Sequence, residues 1–510
     1  MQPTFNLIDQ PWIGAVDHEG RLQEYSLRDL LLQAHELRSL HDDSPLVIAA
    51  LLRVILALLH RVYDGPRNRG EWQKIWQAGR FDAERIDRYF AEWRERFELF
   101  GSGHRFYQSP EPLEEKGTAP LVVLLYVFGA GGNATLFDHT SADPEVELTP
   151  AVAARLLLTV HLYGFCGRVS GPAYFSDGPS VRDVLFFAEG DSLFETLVLN
   201  LLEYNAERPI HQNGDDRPAW EMDDPYQPAR QVPFGYLDYL TWQDRRIRLI
   251  AKPTLAGIRV SEMVLLPGLS LDTGFINQDP MKHFRVDEKR GYISLRFQEN
   301  RALWRDSVAL LKFNSENYRP PAVFAWLDLL VERGILDRSK TLRCMALGMA
   351  TEAGKQFIDF YRSEYLPLPL AYLDNPDLVP TLETALTAAE HVASELWKAT
   401  GTLARWLLVL DEESERQPNA EDVRDLRATM AAERRYWARL EPQFRQTMQA
   451  IPQDAAAAMT TWFDWLRQSA WDVFNQVCDG LGDDPRALKA VVRGREQLAR
   501  GLGAVLKIEL

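Results

Sequence analysis

Apolar positions in the first hundred residues recur in short blocks with helical or alternating spacing, and polar residues punctuate them. Residues 4–14 read as an extended element closed by Pro11, and residues 22–25 supply a second strand to pair with it. Ser26 is placed to cap a helix with apolar positions Leu27, Leu30, Leu31, Ala34 and Leu37, since a hydroxyl can accept from the unpaired amides of a first turn. Ser44 and Pro45 open another helix over residues 46–63, apolar on nearly all sides and so expected in the core. A turn over 66–70 leads to a third helix over 81–100. There Ile86, Tyr89, Phe90, Trp93, Phe97 and Leu99 face inward, and Arg and Glu residues fill a solvated side.

Further along, Thr149 is a fitting N-cap and Pro150 a first helical residue for a pattern running through Leu156, Leu157, Val160 and Leu162. Residues 184–188 read as a strand, and Asp191-Ser192 caps a helix with Leu193, Leu197, Leu201 and Leu202 on its apolar side. Residues 207–230, rich in Pro, Asn, Asp and Trp, suggest an irregular excursion. Residues 231–275 alternate short apolar runs with turns, and 292–297 form a strand. After LPLPL at 366–370 the pattern turns to long helical repeats, in four blocks. Leu382 to Leu410, Val423 to Phe444, Trp462 to Val477 and Leu488 to Leu502 are separated by breaks at 411–420, 451–454 and 480–485. The expected fold class is α+β: a helix-rich mixed N-terminal domain with small sheets over 1–370, then a C-terminal antiparallel four-helix bundle over 371–510.

The 510-residue chain is 46% hydrophobic, enough for a core in each domain. No run is expected to span a bilayer: residues 46–59 come nearest, but Arg53 interrupts them and Asp42, Asp43, His60 and Arg61 flank them. The N-terminal MQPTFNLIDQPW lacks the basic start and apolar stretch of a secretory signal, so a cytoplasmic protein is expected. Cys166, Cys344 and Cys478 are far apart, with no zinc or disulfide spacing, and are expected as free thiols. With 57 basic and 73 acidic residues the net charge is −16, which argues against broad, sequence-blind affinity for nucleic acid. A local basic patch, or contact made within a larger assembly, remains open.

One stretch is poorly suited to a core. Residues 129–140, GAGGNATLFDHT, string three glycines before a dense set of short hydrogen-bonding groups, between the apolar run 121–128 and the helix that Thr149 caps. It reads as an ordinary surface connection or as a loop that wraps a polar partner. A second glycine-containing stretch lies at 164–174. Asp138-His139 is the one acid/base pair worth weighing, and spacing supplies no further metal ligands. No phosphate-loop, zinc-protease, nucleophile-elbow or dinucleotide motif occurs. Beside nucleic-acid inspection within an assembly, two other function classes stay open: a metal-dependent hydrolase using Asp138 and His139, and a helical interaction scaffold without nucleic-acid contact.

In order along the chain, NLIDQPWI, SLRDLLLQAHEL, the FYQ within 97–108, GGNATLFDHT, DSLFETLVLNLL, Asp279-Pro280 leading into ALWRDSVALL, and RSEYLPLP resemble CasA, the large-subunit family of the type I-E CRISPR Cascade complex. The resemblance runs from about residue 5 to the end. It implies a non-enzymatic subunit without cofactors that senses the protospacer-adjacent motif (PAM) in double-stranded DNA and helps open the adjacent base pairs. The partners it implies are the backbone, handle-capping and small Cascade subunits, the 5′ handle of the CRISPR RNA, PAM-containing duplex and a nuclease-helicase, with no membrane. By position, Asn133, Thr135, Leu136, Phe137, Asp138 and His139 fall in the family's long loop toward the guide handle and PAM-proximal DNA. Asn133, Thr135 and Asp138 would hydrogen-bond backbone or base edges, and Leu136 or Phe137 would press on a displaced base. Gly167, Arg168, Ser170 and Gly171 fall in the glycine loop that approaches the PAM minor groove, whose degenerate pattern suits backbone contacts. Gly354, Lys355 and Gln356 are the candidates for the wedge under the PAM, with the register between them open. The family's minor-groove lysine has no counterpart in LLPGLSLDTGFINQ; Lys252 or Arg168 substitutes, or the contact is absent.

Overall fold

The computed structural model describes residues 3–111, 113, 117–121, 124, 146–168, 174–312, 315–352, 358–375, 377–409 and 418–506. Contacts divide the chain into two units. The first comprises Met1–Arg301, Lys312–Asp337 and Leu342–Tyr365; the second comprises Ala302–Leu311, Arg338–Thr341 and Leu366–Leu510.

The first unit opens with a three-stranded antiparallel sheet in which Ile13–Asp17 lies between Leu22–Tyr25 and Leu37–Leu40. Two expectations change here. The first strand begins after Pro11, because residues 5–12 turn on themselves, with the Trp12 indole donating to the Leu7 carbonyl at 3.0 Å. The helix capped by Ser26 stops at Leu32, and Leu37 joins the third strand, where it is as buried as a helical position would have made it. The cap itself is as expected, Ser26 Oγ accepting from Asp29 N at 3.1 Å.

The helix Pro45–Tyr63 runs through the core of this unit. It is the one described helix long and apolar enough to cross a membrane, which the sequence reading did not expect, but 83% of its apolar window is buried inside the protein, as for a core helix. Its Arg53 is 1% exposed and donates to Asp279 at 2.9 Å, while Tyr239 OH donates to the same carboxylate at 2.7 Å. Burial pushes the Asp279 carboxyl up, but Arg53 and Lys282 outweigh burial and hold it below its usual value. The Asp279-Pro280 stretch is thus a core polar knot and not a surface feature. The turn at 66–70 conceals a further helix, Arg69–Ala78, capped by Asn68 and ended by Gly79 at φ 67°. The third expected helix is shorter, Ala83–Trp93 followed by a tight turn over Arg94–Phe97.

Residues 231–275 hold more order than their alternation suggested: Arg245–Thr254 and Gly257–Pro267 form one long antiparallel hairpin. The strand Val184–Glu189 is fully buried and pairs with Thr341–Ala350, which pairs in turn with Phe360–Pro369. The expected strand at 292–297 is Gly291–Ser294, paired with Phe284–Asp287.

The second unit is helical: Leu378–Leu408, Ala420–Met430, Ala432–Ala450, Ala455–Asp479 and Pro485–Val505. The expected second long helix is two helices, because Ala431 adopts φ 49° and breaks the hydrogen-bond ladder. Buried polar tips tie the helices together: Trp462 Nε1 donates to Ala385 O at 2.8 Å and Tyr436 OH to Ala389 O at 3.0 Å. Close approach of the last helix depends on a missing side chain, since a Cβ on Gly494 would sit 2.6 Å from the Phe474 ring. The segment Ala302–Leu311 belongs to this unit through Arg305, which lies 3.7 Å over the Trp437 ring and donates to Glu390 at 2.7 Å.

Candidate nucleic-acid interface

Three stretches that hold the candidate contacts are flanked by described elements of the first unit. Residues 125–145 lie outside the described residues, and the stretches on either side of them pair with one strand. Ala119–Pro120 pairs with Gly257–Pro267 at Met263 and Glu262, and Leu148 exchanges both backbone hydrogen bonds with Val260 at 2.9 Å. Leu121 and Leu124 are buried just beyond the outgoing stem. On the return side, Thr149 Oγ1 accepts from Val152 N at 3.3 Å and starts the helix Pro150–Tyr163, as the sequence indicated. Asn133, Thr135, Leu136, Phe137, Asp138 and His139 lie outside the described residues. Lys252, a candidate substitute for the family's lysine, pairs with Glu147 at 3.1 Å beside the returning stem. It would have to leave that pair to reach DNA.

The second segment is a hairpin. Gly167–Arg168 pairs with Tyr174–Phe175, and the connection, with Ser170 and Gly171, lies outside the described residues, as does the Arg168 side chain. Below the paired residues sits a buried staple. Arg245, 3% exposed at its side chain, donates to Phe165 O on one arm and Ser176 O on the other, both at 2.9 Å. Its guanidinium lies 4.6 Å from the Phe175 ring centre and pairs with Asp244 at 2.7 Å. Asp244 also meets His161 Nδ1 at 3.3 Å. A Cβ on Gly164 would come within 2.6 Å of Val160 O and 2.8 Å of Arg245 Nη2, and one on Gly178 within 2.7 Å of Leu162 O. Glycine is therefore required at the base of the hairpin for packing. Cys166 N donates to Asp177 at 2.8 Å, and Asp177 accepts from Arg182 at 2.5 Å. Burial raises the Asp177 carboxyl, while the Cys166 amide and Arg182 bring it below its usual value. Arg245, Asp244 and Asp177 were missed in the sequence; an Asp-Arg-Arg run opening an apolar strand was the available signal.

The third segment joins Thr341–Ala350 to Phe360–Pro369, and Gly354, Lys355 and Gln356 within it lie outside the described residues. The stem closes with Asp359 N donating to Ala350 O at 3.0 Å and Glu352 N to Asp359 Oδ2 at 3.2 Å. Its inner strand is pressed on Val184–Glu189: a Cβ on Gly348 would lie 2.4 Å from Asp183 O, and Arg343 pairs with Glu189 at 2.6 Å.

No group of His, Cys, Asp and Glu among the described residues could hold a metal ion, and Asp138 and His139 lie outside them. Among the described residues, the flanks of all three stretches are held by backbone pairing and hydrogen bonds.

The family model described as CRISPR-associated protein Cse1 matches residues 6–473. This chain belongs to the Cse1 family. The CRISPR-associated protein CasA/Cse1 of Thermus thermophilus is 32% identical over 511 residues, 98% of this chain and 97% of that relative. The crystal structure of CRISPR-associated protein Cse1 from Acidimicrobium ferrooxidans superposes with a TM-score of 0.84 at 28% identity, covering 99% of each chain. A chain from a structure titled CRISPR RNA-guided surveillance complex shares the fold at a TM-score of 0.74 and 24% identity, covering 98% of this chain and 100% of that one. The resemblance carried by the sequence stretches therefore pointed to the right family, and Cse1 members share this mixed first unit and helical second unit along their length.

Proposed function

We propose that the protein is the large subunit of a type I-E Cascade-like surveillance complex that recognises the PAM in duplex DNA and starts unwinding. The observation that carries this reading is the match to the Cse1 family along nearly the whole chain. Base pairing to a guide supplies sequence information in such assemblies, so the protein subunit has only to read a short duplex element and nucleate strand opening. The hairpin carrying Gly167, Arg168, Ser170 and Gly171 would approach the minor groove, and the tip with Gly354, Lys355 and Gln356 would prop open the first pair. Asn133 to His139 would meet the guide handle and PAM-proximal DNA. The helices of the second unit, read as a four-helix bundle whose second member is broken at Ala431, would contact the small subunits and help position the displaced strand. A nuclease-helicase would dock on the assembled particle. In this reading the subunit does no chemistry and works in the cytoplasm.

The test is binding of the reconstituted complex across a randomised PAM library, comparing wild type with Ser170→Ala, Gly171→Ala, Lys355→Ala and Gln356→Ala. Minor-groove and wedge roles predict altered PAM preference for the first pair and a uniform loss of strand opening for at least one of the second. Unchanged profiles with all four would favour a scaffold without DNA contact.

A further inference from the structure

A concave surface of the first unit takes no part in the reading above. The helices Pro45–Tyr63, Arg69–Ala78 and Ala83–Trp93 frame an open groove of about 1020 Å³. Its buried lining is Pro66, Ile75 and Phe81, the last two 7% and 4% exposed. The groove's carboxylates are already engaged. Asp64 pairs with Arg67, Glu71 accepts from Arg67 N at 2.8 Å, and Asp82 accepts from Glu84 N at 3.0 Å and Arg85 N at 3.2 Å. Lys74 and Arg80 are exposed at the edge and have no ion-pair or hydrogen-bond partner among the described residues. His35 adds an enclosed Nδ1 without a partner.

We infer that this groove docks an acidic peptide segment of a partner protein, with an aliphatic side chain entering between Ile75 and Phe81 and carboxylates meeting Lys74 and Arg80. Charge complementarity sets the sign of the occupant, because two unpaired cations flank an apolar floor on a chain of net charge −16. Single-stranded nucleic acid fits less well, since it needs open aromatic faces on which bases can stack. Here Arg85 covers the Tyr63 ring at 5.4 Å, and Phe81 packs edge-on against Phe194 at 4.8 Å. The inference stands on the groove and does not depend on a role in DNA inspection.

The experiment is fluorescence anisotropy on the full chain with a labelled peptide of alternating glutamate and leucine. A glutamine-for-glutamate version and a labelled oligothymidylate of equal charge serve as competing probes. The glutamate peptide should bind about tenfold tighter than its glutamine version, and the Lys74→Glu/Arg80→Glu double variant should lose about tenfold, as expected for two solvent-screened charge contacts. Ala78→Trp keeps the charges and fills the groove, so it should weaken binding as well; Ala78, Lys74 and Arg80 are all exposed and can be changed without emptying the core. Binding indifferent to the double variant, or unchanged by Ala78→Trp, would overturn the inference. So would tighter binding of the oligothymidylate through the same two cations.

Discussion

At the scale of single residues, two buried groups make stability claims of known sign. Burial in an aromatic nest, with Tyr204 and Tyr236 ring centres at 5.2 and 5.5 Å, lowers the His60 pKa to about 4. Between about 4 and the unfolded value near 6.5 the unfolded chain holds the extra proton. The stability tied to neutral His60 is therefore complete above that upper value and is lost as the pH falls toward 4, about 3 kcal/mol in all. Asp216, raised to about 6 by burial, acts in the opposite sense: its contribution falls as the pH rises from near 3.8 through 6. Urea unfolding of wild type and His60→Gln at pH 7 and pH 5 separates them. The gap between the two proteins should shrink by about 1–2 kcal/mol on acidification, and a constant gap would refute the assignment. Arg245 is the other test: Arg245→Met leaves Asp244 buried without its guanidinium and should cost about 3–5 kcal/mol by the same measurement. The Asp-Arg-Arg run was the one local sign of that staple, and the two carbonyls it ties lie 80 and 69 positions away in sequence.

At the scale of elements, features set by adjacent residues were legible. Ser26, Thr149 and Ser192 cap helices as their sequence context indicated, because a cap is decided within one turn. Asn68 does the same for Arg69–Ala78, yet that helix went unread because Pro66 and Gly70 looked like turn residues. Leu37 was misassigned because apolar spacing at the end of a short helix also suits the adjoining strand. The break at Ala431 was invisible for another reason: alanine is the best helix former and is uncommon at φ 49°. Ala431→Gly should relieve that strain and raise stability by about 0.5–1 kcal/mol, seen as a higher melting temperature. A lower one would mean that the kink is held at no local cost. The candidate DNA contacts were assigned only through family resemblance, and most of them lie outside the described residues. Glycine and short polar residues in sequence say that a loop exists, and its target depends on chains that are not part of this one.

At the scale of the whole molecule, the governing quantity is charge. A net −16 is poorly suited to capturing duplex DNA unaided, because affinity for the phosphate backbone comes from neutralising charge and releasing counterions. Under the proposed function, neighbouring subunits and guide RNA would supply attraction and this chain would supply discrimination. The most direct test is to titrate the free protein and the protein assembled with its guide complex against duplexes with and without the motif, at about physiological ionic strength. The free chain should bind both duplexes no tighter than about micromolar and lose that binding with added salt, while the assembly binds the motif-bearing duplex selectively. Salt-resistant nanomolar binding of random duplex by the free chain would contradict the account, as would an assembly that binds both duplexes alike.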